Sequence, residues 1–148
     1  MSGKADFTPE EWQVVLEGPP SAGMIVVTAQ RGGTLRETIA IAKSYLEARK
    51  QHGESQLLDE IVSAKPEMDH TRYHSAEELK DRGLRHLRDA VELLERKATP
   101  EELDDYRRFV LSLADKVATA HREDGESISS AERVAIEEIA ASLGSEAP

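Results

Sequence analysis

The sequence predicts an all-α protein, a compact domain of about seven helices. Three observations carry that reading. No segment alternates apolar and polar residues with period two for long enough to form a strand. Apolar residues recur instead at spacings of three and four, most clearly along Leu84, Leu87, Val91, Leu94 and Ala98 and along Leu103, Tyr106, Val110, Leu113, Val117 and Ala120. Helix starts are marked by a serine or threonine three residues ahead of a glutamate, where hydroxyl and carboxylate can each accept a backbone N–H of the first turn.

The first helix opens at Phe7-Thr8-Pro9-Glu10-Glu11-Trp12. Thr8 caps it, Pro9 fits the first helical position and Glu11 closes the capping box. Phe7 and Trp12 occupy the two positions of a hydrophobic staple. The helix carries Val15 and Leu16 and is expected to stop at Gly18-Pro19-Pro20. The stretch from Ser21 to Gln30 has almost no polar side and reads as a short central helix buried all round, ended by Arg31-Gly32-Gly33.

Thr34 and Glu37 repeat the capping-box spacing and open a helix along Leu35, Ile39, Ala42, Leu46 and Arg49, with Ile41 and Tyr45 beside that line. His52-Gly53 stops it. A shorter helix follows through Leu57, Leu58, Ile61 and Val62, and Lys65-Pro66 ends it. Ser75 and Glu78 open a long helix with the first seam above. Thr99-Pro100-Glu101-Glu102 closes that helix and caps the next, so two heptad seams joined by a tight turn predict a long antiparallel helical hairpin. The last helix follows Asp124-Gly125 and is capped by Ser129 with Glu132; Val134, Ile136 and Ile139 are its apolar residues. The whole reads as a single domain, 1–148, with tails at 1–8 and 144–148 and a long loop at 65–75.

Composition bounds the function classes. The 19 Lys and Arg against 29 Asp and Glu leave a formal charge of −10. A nucleic-acid-binding surface needs a basic face, so no nucleic-acid partner is expected, and adsorption to anionic lipid is equally disfavoured. Without cysteine there is neither a disulfide nor a thiolate metal site. The N-terminus has no apolar signal region, and the longest apolar run, Met24–Val27, falls far short of the roughly 20 residues that span a bilayer. A cytoplasmic protein without membrane insertion is expected.

The chain echoes itself. Thr28-Ala29-Gln30-Arg31 recurs as Thr119-Ala120-His121-Arg122, each followed by a glycine turn. Glu37-Thr38-Ile39-Ala40-Ile41 then matches Glu132-Arg133-Val134-Ala135-Ile136, with a longer, more acidic second turn. A diverged duplication with a pseudo-two-fold axis accounts for both matches; independent capping boxes account for the helix starts alone.

Asp124-Gly125-x-x-Ile128-Ser129-x-x-Glu132, entered from an apolar helix, resembles the motif of the tellurite-resistance TerB-like superfamily. The likeness is specific over residues 106–143, and the chain as a whole, beginning at Phe7-Thr8-Pro9-Glu10-Glu11-Trp12, is similar to small bacterial all-helical proteins of that kind. It implies an all-helical fold of two pseudo-symmetric halves, each with an acidic helix–turn–helix. It also implies that Glu123, Asp124, Glu126 and Glu132 match an acidic cluster for a divalent cation. The first copy departs from that pattern, since Gln30-Arg31-Gly32-Gly33 has no carboxylate.

By residue type alone, those four carboxylates supply the oxygen ligands that calcium or magnesium takes. An EF-hand register fails, because with Gly125 at the glycine position Ala120 and Ala131 fall on the first and last ligands. The competing reading is that Asp124-Gly125 only shapes the turn and Glu132 only caps. Asp69, His70 and His74 lie close in a segment without helical period, so a solvated loop is the better account of them. His86 and His121 fall beside apolar seams as edge histidines, and Arg31-Gly32-Gly33-Thr34 reads as a plain turn before it reads as an anion site. Ser129-Ser130 near His121 lacks an oxyanion donor and an orienting acid.

The function expected is a non-enzymatic bacterial binding or adaptor module of a stress or envelope system, acting through protein–protein contacts and without a cofactor. One alternative is a divalent-metal-binding protein or metal-dependent enzyme using the acidic turn. Another is a structural homo-oligomer, a homodimer for instance. No convergent polar constellation for an enzyme can be placed in the sequence.

Overall fold

The computed structural model describes residues 6–29, 35–50, 56–63, 76–122 and 130–144, with every side chain among them but those at 27–29, 35–40, 56, 58, 76, 119–122 and 130–132. These residues hold helices α1 (Pro9–Ala29), α2 (Leu35–Lys50), α3 (Gln56–Ser63), α4 (Ala76–Lys97), α5 (Pro100–Arg122) and α6 (Ser130–Ser142). No strand occurs among them. The all-α class is the one the periodicity predicts.

Two helix starts are built as their residues dictate. Thr8 N donates to Glu11 Oε1 at 2.9 Å and Glu11 N to Thr8 Oγ1 at 3.2 Å. At α5, Thr99 N donates to Glu102 Oε1 at 3.0 Å and Glu102 N to Thr99 Oγ1 at 3.1 Å. Each pair satisfies two N–H groups that a helix start leaves without an intrahelical acceptor. The staple also forms, with Phe7 and Trp12 buried and their ring centroids 5.6 Å apart. Lys97 fastens the end of α4 to this corner, 2.7 Å from Glu11 Oε1 and 5.7 Å from the Phe7 centroid.

The first difference from the sequence reading lies at Gly18-Pro19-Pro20, which does not end a helix. α1 runs through it, so the described residues hold six helices where about seven were expected. A proline inside a helix has no N–H for the carbonyl four residues back, which for Pro19 is that of Val15. The Tyr106 hydroxyl of α5 donates to that same Val15 oxygen at 2.8 Å, fully buried. Gly18 makes the approach feasible, since a Cβ there would stand 2.1 Å from Tyr106 Oη. The apolar phase meanwhile crosses the prolines unbroken: Trp12, Val15, Pro19, Ala22 and Val26 step by 3, 4, 3 and 4, and all are buried. Burial of Gly18, Pro19 and Pro20 and one donated hydrogen bond outweigh the local tendency to break.

The second difference concerns the hairpin. α4 and α5 are joined by Ala98 and Thr99 alone, yet they touch each other sparingly, and both pack chiefly on other helices. Their seams, buried from Leu84 to Leu94 and from Leu103 to Val117, converge on α1 rather than zipping together. A seam needs an apolar partner, and α1 offers one on two sides. Tyr106 and Leu87 close on Gly18 from α5 and α4, and Gly83 of α4 leaves room for Ile25.

The remaining helices complete the core. α2 lies along α5, and α3 packs on both, burying Leu57, Ile61 and Val62. α6 closes over α1, α4 and α5 through Ala135, Ile139 and Leu143. Among the described residues two polar ties hold it: Lys80 to Glu138 at 3.3 Å, and Arg107 Nε donating to the Leu143 carbonyl at 2.6 Å. Gly144 ends it in the left-handed region at φ 74°, where glycine avoids the Cβ clash.

Candidate functional site

Of the predicted metal ligands, Glu123, Asp124 and Glu126 lie outside the described residues, as does the side chain of Glu132, whose backbone belongs to α6. Asp69, His70, His74, Arg31-Gly32-Gly33-Thr34 and Ser129 also lie outside them, together with the side chains of His121 and Ser130. Among the described residues no three His, Asp or Glu side chains come together as metal ligands. His86 takes the edge position its spacing suggests, between α4 and α1, with Nδ1 3.5 Å from Glu17 Oε2.

Besides Ser44 and Glu102, the described interior holds the hydroxyls of two buried tyrosines. Tyr106 is tied to Val15, while the hydroxyl of Tyr45 has no hydrogen-bond partner among the described residues. The Tyr45 ring meets Phe109 edge-on, with centroids 5.3 Å apart. Burial pushes the phenols of Tyr45 and Tyr106 well above the ordinary 10.0, with a smaller push on Tyr106 from the nearness of Tyr45. Both stay protonated through neutral pH, so neither can act there as a base or a phenolate nucleophile.

The described surface holds few exposed large hydrophobic side chains. Two of its large hydrophobic side chains are exposed, Leu46 of α2 at 53% and Val134 of α6 at 49%. α2 carries two apolar lines. The line used in the fold is Ile41, Ser44 and Tyr45, with Ala48 half-buried; Ala42 and Leu46 face solvent. The line read first from the sequence thus has its described members on the outside.

On a helix surface the neighbours of Leu46 are Ala42, Lys43, Arg49 and Lys50, an apolar pair edged by cations. Arg49 is engaged in the fold, its Nε donating to the Val62 carbonyl at 2.5 Å. Glu47 is held by Lys116 of α5, whose hydrogen bond keeps its carboxyl below the usual carboxylate range. Its charge is therefore offset, and Lys43 and Lys50 leave the stripe cationic. Arg36, Lys43, Arg49 and Lys50 against Glu37 and Glu47 make α2 the only net-positive helix among the six. A sequence signal for this surface existed, because α2 holds more apolar positions than one buried line can use. No protein-family model, no curated protein and no solved structure matches this chain.

Proposed function

We propose that this chain is a non-catalytic helical binding module, a bacterial adaptor of the TerB-like kind, that engages another protein through the outer stripe of α2. The observation that carries the reading is Leu46, 53% exposed beside Ala42 on a helix whose other apolar line is already buried. An exposed apolar side chain edged by charge suits a contact that buries it and keeps register through the rim. The TerB-like part rests on the acidic motif and on the helix order: α1 ends and α2 begins around one echo, α5 ends and α6 begins around the other.

Photo-crosslinking tests it. A crosslinking residue at position 46, in cells that make the protein, gives a discrete adduct heavier than the chain. The same residue at Glu92, exposed on α4, gives none. No adduct from position 46, or equal adducts from both positions, overturns the reading.

A further inference from the structure

We infer that the partner seated on α2 is α6 of a second copy, in a two-fold dimer where each α2 receives the other chain's α6. This rests on α2 being the docking face and names its occupant. The two exposed large hydrophobics among the described residues stand on helices of opposite sign. Leu46 has Lys43 and Lys50 one turn to either side; Val134 has Glu137 and Glu138 one turn on. α6 carries Glu132, Glu137 and Glu138 against Arg133, and Arg133 lies about 100° from Val134 round the helix axis. Glu137 is exposed, while Glu138 is shared with Lys80.

An acid-edged apolar helix is the complement that a cation-edged apolar stripe requires, and the chain carries both. In a two-fold interface, residue i meets j and j meets i, so one pairing of Leu46 with Val134 occurs twice. The overall charge of −10 opposes the approach of two copies. Locally the sign reverses, because α2 is the one cationic helix of the six.

Sedimentation equilibrium at up to about 1 mM chain, the weak end of specific affinity, tests the dimer. Wild type sediments at twice 16.4 kDa. Leu46→Glu places an acid against the acids of α6, and Val134→Lys places a cation against the lysines of α2, so each variant alone stays monomeric. Mixed one to one they regain the dimer, since Glu at 46 then meets Lys at 134 and the untouched Leu46 meets the untouched Val134. A monomeric wild type, a dimeric single variant or a monomeric mixture each overturns the inference.

Should either charged variant fail to fold, the absence of native cysteine supplies a second measurement. Leu46→Cys and Val134→Cys chains, mixed and oxidised, give the mixed disulfide in excess of both homodimers; a statistical distribution overturns the pairing. A monomeric wild type whose position-46 adduct differs in mass from two chains leaves the docking face standing and removes only the second copy. Absence of any adduct removes both.

Discussion

In α1 Trp12, Val15, Leu16, Pro19, Pro20, Ala22, Ile25 and Val26 are all buried, and Gln13 and Glu17 mark the side that meets water. Among the described side chains of α2 the buried set is Ile41, Ser44 and Tyr45, with Ala48 at its edge, while Ala42 and Leu46 meet water. α1 sits where α4, α5 and α6 converge, so packing holds it helical through two prolines that would end an exposed helix. α2 lies along α5 with α3 and the edge of α1 for further cover, and Ala42 and Leu46 have no use within the described fold. The contrast separates residues that make the structure from residues available to something outside it.

The harshest way to break the comparison is to damage what both helices share. Val110 is fully buried in α5, on which α1 and α2 both lean. Val110→Asp should cost several kcal/mol, as about 2–7 kcal/mol for an unpaired buried polar group implies, and more for a charge. Circular dichroism should show loss of cooperative melting; Glu92→Ala, on the solvent side of α4, should melt with wild type.

A smaller effect isolates α1. Gly18→Ala should destabilise by about 1–3 kcal/mol through overpacking against Tyr106. Tyr106→Phe should cost about 1–3 kcal/mol by leaving the Val15 carbonyl unsatisfied. The two changes should not add, because removing the hydroxyl removes the closest contact and leaves the ring carbon at 3.2 Å. Denaturant unfolding of the double variant should show a cost below the sum of the singles. Strict additivity would mean that Tyr106 does not secure α1 across Pro19.

These helices also show what could be read from the sequence and what could not. Thr8 with Glu11 and Thr99 with Glu102 were legible because a capping box is local: three residues decide it. The seams of α4 and α5 were legible as periodicity, but their partner was not, since the spacing of Leu84 to Leu94 fits α1 as well as it fits α5. Gly18-Pro19-Pro20 misled because the donor that rescues Val15 comes from residue 106, beyond any local window. The unbroken phase from Trp12 to Val26 was the available clue. In α2 both apolar lines satisfy a helical period, and only the position of α5 chooses between them. The carboxylates at 123, 124, 126 and 132 were read from type and spacing; their geometry lies outside the described residues.

A gentler probe compares the buried tyrosines of the two regions. Both phenols are raised above 10.0 in the folded chain, chiefly by burial, whereas the unfolded chain releases the proton near that value. Their contribution is therefore complete below pH 10.0 and is lost as pH rises through it towards the folded-state values. Melting temperature should fall along that limb, and Tyr45→Phe and Tyr106→Phe should each flatten it. At neutral pH the pair should differ. Tyr106→Phe loses the bond to Val15, whereas Tyr45→Phe removes a hydroxyl without a partner among the described residues and should be close to neutral. Equal costs at neutral pH would mean that the two hydroxyls are equally engaged.

The smallest expected effect tests the division of α2 most directly. Ile41 and Leu46 stand on the same helix, one buried and the other 53% exposed. Melting should be compared for Ile41→Ala and Leu46→Ala in dilute solution, where any partner contributes nothing by mass action. Ile41→Ala should lose about 2–5 kcal/mol, the range for a buried aliphatic truncated to alanine. Leu46→Ala should stay within about 0.5 kcal/mol of wild type, as surface changes do. A drop for Leu46→Ala approaching that of Ile41→Ala would place Leu46 in the structure of the fold and contradict its assignment to a partner.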